Sequence, residues 1–193
     1  MTNLESLIDR WRAGDERAAE AIYDLHRERT FRLAFGLLGN ADDAEEAAQD
    51  ALTYALLNIS QFDERRSQFT TWLHMITVSR SRDILRKRRP VFSLTDWLKG
   101  HRSPPDLNPG PEQKVENKQA RHSIWDAVQQ LNPILREAIV LRHWGGHTYE
   151  EIAEIAGCPM KTAQSRVRLA HQKLAETLDG KNVMELMGTE GNS

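Results

Sequence analysis

The chain has 193 residues, 28% charged and 39% hydrophobic, with a formal net charge of −2 and one cysteine. A single cysteine excludes an internal disulfide framework and fits a reducing compartment, and no apolar run approaches the roughly 20 residues a bilayer-crossing helix needs. The opening MTNLESLIDRW carries acids early and no apolar signal segment, which reads as a cytoplasmic chain without a secretory leader.

In chain order, Leu4, Leu7, Ile8 and Trp11 mark a first amphipathic helix, ended near Gly14. A second starts at about Asp15, with Ala18, Ala19, Ile22 and Tyr23 on one side, and a third, strongly apolar, runs from about Thr30 to Leu38 and stops at Gly39-Asn40. The next helix, about Ala41 to Ile59, buries Ala44, Ala47, Ala48, Ala51, Leu52, Ala55 and Leu56 and crowds Asp42, Asp43, Glu45, Glu46 and Asp50 into its first half. Acids near a helix N-terminus suit its dipole. Five within nine residues also read as an acidic face for a basic protein partner, and both readings stand at this point.

The loop FDERRSQF, Phe62 to Phe69, leads into a long helix ending near Arg89. Phe69, Trp72, Leu73, Ile76 and Ile84 can pack inward. Six of the ten residues from Arg80 to Arg89 are basic and one is acidic. Solvated faces usually mix signs; this bias, beside aromatics, suits a nucleic-acid surface. Charge is segregated along the chain, with 12 acidic and 6 basic residues in 1–60 against 4 and 9 in 61–101. Local basic patches, and not the total, set phosphate affinity.

From about Val91 to Asn117 the periodicity is lost among Pro104, Pro105, Pro109, Pro111, Gly100 and Gly110, apart from an apolar patch of Phe92, Leu94, Trp97 and Leu98, which reads as a linker. Ala120 to Leu131 is amphipathic, and Asn132-Pro133 opens another helix in the N-cap and Pro-first manner. The stretch Thr148 to Leu174 then reads as two helices and a tight turn. Thr148 and Glu151 fit a capping box, Gly157 ends the first helix, and Pro159 starts the second. Ala163, Val167, Ala170 and Leu174 form a buried stripe, leaving Lys161, Gln164, Ser165 and Arg168 on a polar face. That is the pattern of a helix-turn-helix whose second helix enters a major groove. Gly180 to Ser193 reads as a tail.

No catalytic constellation, phosphate-binding glycine loop or small-molecule site stands out, and no cofactor is expected. His143, His147 and Cys158 could be drawn as a zinc site, but Gly145 and Gly146 break the helix between the histidines and a fourth ligand is lacking, so no metal is expected.

Together these segments, DDAEEAAQDAL, FDERRSQFTTWLHMITVSRSRDILRKRR, the proline-containing linker into GPEQ, and LNPILREAIVLRHWGGHTYEEIAEIAGCPMKTAQSRVRLAHQKL, resemble the extracytoplasmic-function sigma factors, the promoter-specificity subunits of bacterial RNA polymerase. The resemblance spans about residues 15 to 175. It implies an all-α fold of two small helical domains joined by a flexible linker: region 2 over 1–90, linker 91–118, region 4 over 119–178, and a tail over 179–193. It implies docking of Asp43, Glu46, Gln49 and Asp50 on the clamp helices of the largest subunit of core RNA polymerase, with the C-terminal domain at the flap. It implies −10 recognition and melting by Phe62, Arg65 and Arg66 in the loop and by Ser79, Arg80, Asp83 and Arg86 on the helix. It implies −35 recognition by Lys161, Thr162, Gln164, Ser165, Arg166 and Arg168, with Lys173 placed for phosphates. A bidentate base contact is worth roughly 1–3 kcal/mol of discrimination. It further implies an anti-sigma factor, often membrane-anchored, that holds the two domains inactive. The chain departs from the family at Ser79 (usually Asn), Met75 (often Arg) and His171 (commonly Arg), and its loop around Arg65-Arg66 is one residue longer than in some relatives. The competing reading, a stand-alone helix-turn-helix regulator, explains residues 120–175 but not the acidic and basic helices before them.

Overall fold

The computed structural model describes residues 4–87 and 116–178, with side chains in the second stretch from Ser123 onward. Eight α-helices and one 3-10 turn make up these residues, and no strand occurs among them. The chain divides into two compact units, the first built mainly of residues 1–88 and the second mainly of residues 89–193. The linker's apolar patch, Arg88, Arg89 and the tail from 179 lie outside the described residues.

The first unit holds α1 (Leu4–Arg12), α2 (Glu16–Leu38), α3 (Ala41–Leu57), a 3-10 turn (Ile59–Gln61) and α4 (Phe69–Lys87). Helix α1 buries Leu7 and Ile8 and ends at Gly14, whose φ of +89° suits a residue without a Cβ. Asp15 then caps α2, its side chain accepting from the Arg17 N–H. The expected break between Asp15 and Thr30 is absent: α2 is one 23-residue helix. No Gly or Pro interrupts its middle, Asp24–Arg27 and Glu28–Arg32 pair one turn apart on the outer face, and His26 and Thr30 point inward. Gly39, left-handed, returns its N–H to the Phe35 carbonyl, and Asn40 caps α3 by accepting from the Asp43 N–H.

Small residues on α3 (Ala44, Ala47, Ala48, Ala51, Ala55) are buried, which lets neighbouring helices approach closely. The core joins Leu7, Ile22, Leu52, Ile59, Phe62, Phe69 and Leu73, with Trp11 and Trp72 packed at its edge. Two long-range bonds fasten α1 to the rest of the unit: the Trp11 indole N–H donates to the Leu56 carbonyl at 2.8 Å, and the Arg12 guanidinium donates to the Phe62 carbonyl at 2.7 Å.

The second unit holds α5 (Glu116–Gln130), α6 (Pro133–His143), α7 (Tyr149–Ala156) and α8 (Met160–Thr177). Ile124, Trp125, Val128, Ile139, Val140, Leu141, Ile152, Val167 and Leu174 are among its buried apolar residues. Asn132 caps α6 by accepting from the Leu135 N–H, with Pro133 in the first turn. The Arg136 guanidinium donates to the Gln129 and Leu131 carbonyls, closing the end of α5. The turn before α7 is tight at Gly145, where a Cβ would stand 2.6 Å from the Leu141 carbonyl oxygen and 2.7 Å from the His147 ring.

Candidate functional site

Three faces carry the residues singled out in the sequence. On α3, Glu46, Gln49 and Asp50 are exposed and Asp43 is half-buried at the capped first turn. Gln49 donates to Glu45 at 2.7 Å. Asp42 and Asp43 lie in the first turn, where they complement the helix dipole; Glu45, Glu46 and Asp50 lie beyond it and form a ridge of negative charge. The face ends in two apolar residues the pattern had not singled out, Tyr54 and the 75% exposed Leu57. A groove lined by Tyr23, Arg27, Phe31, Ala48 and Leu52 borders it at Gln49.

The second face comprises the loop before α4 and the outer side of α4. Asp63 accepts from the Arg65 N–H at 3.0 Å, forming a turn that leaves Arg65 and Arg66 exposed. Phe62 corrects the sequence reading. It is 5% exposed and packs on Phe69 and Trp72, with ring centroids 5.4 Å apart in both pairs. In this position it is a core residue and offers no stacking platform for an extruded base. Burying three aromatic rings together outweighs exposing one at the loop's start. Ser79 is exposed, Asp83 and Arg86 pair at 2.8 Å, and the Arg80 guanidinium lies 5.0 Å from the centroid of the Tyr54 ring.

The third face is on α8, held by the capping box of α7. The Thr148 N–H and hydroxyl both donate to Glu151, and the Glu151 N–H donates back to the Thr148 hydroxyl. Gly157 takes a φ of +65° between α7 and α8. Pro159 occupies the cap of α8 and not its first helical residue, one position earlier than the sequence suggested. Ala163, Val167, Ala170 and Leu174 are buried. Lys161, Gln164, Ser165 and Arg168 are exposed, and Thr162 and Arg166 are half-buried at the margins of that face. Met160 and Leu169, also exposed, flank it. Lys173 pairs with Glu176 at 2.9 Å.

Histidines that suggested a metal are engaged elsewhere. His143 meets His171 of α8, their Nε2 atoms 2.8 Å apart, and His147 is 3% exposed with its Nδ1 3.6 Å from Glu151. Burial, then the neighbouring His171 and Arg142 charges, lower the His143 pKa to about 4. In the first unit burial, then Arg29, lower that of His26 to about 4. Among the described residues no three His, Cys, Asp or Glu side chains converge on a metal position, and no helix is long and apolar enough to cross a membrane.

Comparison with known proteins places two family matches on these units: Sigma-70 region 2 over residues 22–91 and Sigma-70 region 4 over residues 121–174. The chain is 28% identical over 181 residues to the ECF RNA polymerase sigma factor SigW of Bacillus subtilis, covering 91% of this chain and 96% of SigW. It is 35% identical over 147 residues to the ECF RNA polymerase sigma factor EcfG of Rhodopseudomonas palustris, covering 75% and 76%. Among solved structures, the sigma factor RpoE of Bartonella quintana, crystallised with the anti-sigma factor NepR, matches with a TM-score of 0.66 and 26% identity, covering 83% of this chain and 96% of that one. An acidic ridge and a basic helix in a region 2 unit, a polar-faced helix-turn-helix in a region 4 unit, and relatives of one kind lead to one assignment: the chain belongs to the extracytoplasmic-function RNA polymerase sigma factors.

Proposed function

We propose that the three faces divide the work of a sigma factor, which binds core RNA polymerase and directs it to promoters. The acidic ridge of α3, with Asp43, Glu46, Gln49 and Asp50, docks on a basic surface of the polymerase clamp. Arg65 and Arg66 in the loop and Ser79, Arg80, Asp83 and Arg86 on α4 hold the melted −10 element. Melting and extruding a base costs a few kcal/mol, which cationic and loop contacts offset; Phe62 supports that loop from inside. Lys161, Gln164, Ser165 and Arg168 read base edges of the −35 element, with Thr162 and Arg166 beside them on the backbone.

One observation supports this division above the others. The exposed side of α8 is polar and cationic over two turns, while its opposite side is an unbroken buried stripe. A helix so seated can enter a major groove without disturbing its own unit. The similarity to a sigma factor solved with its anti-sigma factor supports a matching inhibitor for this chain, and its place of action is then the cytoplasm, with the polymerase.

The test is selection of bound fragments from a randomised DNA pool by polymerase carrying this chain. Two recurring elements at a fixed spacing are expected, and Gln164→Ala should relax one position of the upstream element only. A profile unchanged by that substitution overturns the assignment of the reading face.

A further inference from the structure

Tyr54 and Arg80 meet where the docking helix and the −10 helix of the first unit adjoin. Tyr54 lies on α3 one helical turn beyond Asp50, and Arg80 follows Ser79 on α4. The Arg80 guanidinium carbon lies 5.0 Å from the centroid of the Tyr54 ring, and the Arg80 Nε is buried without a hydrogen-bond partner. Its neighbour on the same helix is held differently, for Arg86 is paired with the Asp83 carboxylate.

The two ways of holding an arginine have different chemical consequences. A carboxylate neutralises the guanidinium and occupies its donors. An aromatic face restrains the plane of the guanidinium through its quadrupole while leaving the terminal Nη donors of Arg80, its buried Nε aside, and the net charge available. A cation so fixed suits a phosphate, which takes a planar fork of donors.

We propose that Tyr54 is a positioning residue for DNA binding: it presets Arg80 to grip a backbone phosphate of the separated non-template strand. This inference rests on the reading of α4 as the −10 face. It adds a residue from α3, the polymerase-docking helix, to the strand-holding apparatus, and it makes the Arg80 contact independent of base sequence.

The experiment uses polymerase reconstituted with the full chain and a forked duplex bearing a single-stranded oligothymidine non-template tail, titrated at several salt concentrations. Arg80→Ala should weaken binding about tenfold and reduce the salt slope by about 0.7, the value of one single-strand phosphate. Tyr54→Leu should weaken binding about three- to tenfold, and Tyr54→Phe, which keeps the ring, should bind as the native chain does. The double variant Tyr54→Leu with Arg80→Ala should be no weaker than Arg80→Ala alone. All should co-elute with core polymerase in the absence of DNA.

If Arg80→Ala weakens binding and Tyr54→Leu does not, the −10 reading stands and the positioning role is wrong. Additive losses in the double variant, or a Phe variant as weak as the Leu variant, also overturn it. If Arg80→Ala itself binds normally, the reading of Arg80 as a DNA contact fails and the proposal fails with it.

Discussion

The Nε2 atoms of His143 and His171 lie 2.8 Å apart and join the end of α6 to the second half of α8. Such a bond requires one ring to donate and the other to accept, so the two rings cannot both be protonated at both nitrogens. Burial and the Arg142 charge depress both pKa values, which favours this neutral pair. Replacing His171 with Ala leaves a half-buried acceptor or donor unpaired and should cost about 1–3 kcal/mol. Denaturant unfolding of the second unit, followed by Trp125 and Trp144 fluorescence, should show the loss; an unchanged midpoint would mean the pair contributes nothing to stability.

The chain should lose stability as pH falls from about 6.5 toward 4. His26 and His143 titrate near 4 in the folded chain and near 6.5 when unfolded. Between those values the unfolded chain binds more protons, so acid favours it; above about 6.5 both states are neutral and the contribution is constant. His26, packed on Phe69 with ring centroids 5.1 Å apart, should account for about 1–3 kcal/mol of this dependence in the first unit. Thermal melts of His26→Gln at pH 7 and pH 5 check it: the variant should show a smaller drop between the two than the native chain.

Phe62→Ala should act on folding and not selectively on DNA. It removes a buried ring from the Phe62–Phe69–Trp72 group and should cost about 3–5 kcal/mol. Equilibrium unfolding gives the magnitude. A stable variant that has lost only −10 binding would restore the role that its position in the sequence suggested.

Gly145→Ala should destabilise the turn that presents the helix-turn-helix. The new Cβ meets the Leu141 carbonyl oxygen and the His147 ring, and His147 is too buried to move aside freely. A cost of about 1–3 kcal/mol is expected from such overpacking, read as a lower melting temperature. Gly146→Ala, where the backbone is left-handed but space is open, should cost less, about 1 kcal/mol.

What was legible in the sequence was local chemistry. Thr148 with Glu151, Gly157, Asn132 before Pro133, and the buried stripe of α8 each lie within one or two turns, and the structure has them as the spacing suggested. The exposed side chains of α3 and α8 followed from the same periodicity. What was missed depends on distant partners. Phe62 is drawn inward by aromatics on α4 and by Arg12, 50 residues away, which binds its carbonyl. His143 and His171 are 28 residues apart, and either alone reads as a half-exposed polar residue. The Tyr54–Arg80 contact joins two helices whose outer faces looked unrelated. The continuity of α2 was missed for another reason: a polar middle resembles a loop when its ion pairs are not counted along the helix.

Whether the chain is a polymerase subunit is decided by co-elution with bacterial core RNA polymerase on a sizing column, without DNA. The native chain should co-elute in a one-to-one ratio. A chain with Asp43→Lys and Glu46→Lys should keep its helical circular dichroism and run alone, because the ridge would then repel a basic surface. Co-elution of that variant at native strength would contradict the docking assignment, and a native chain that runs alone would contradict the account of the protein as a polymerase subunit.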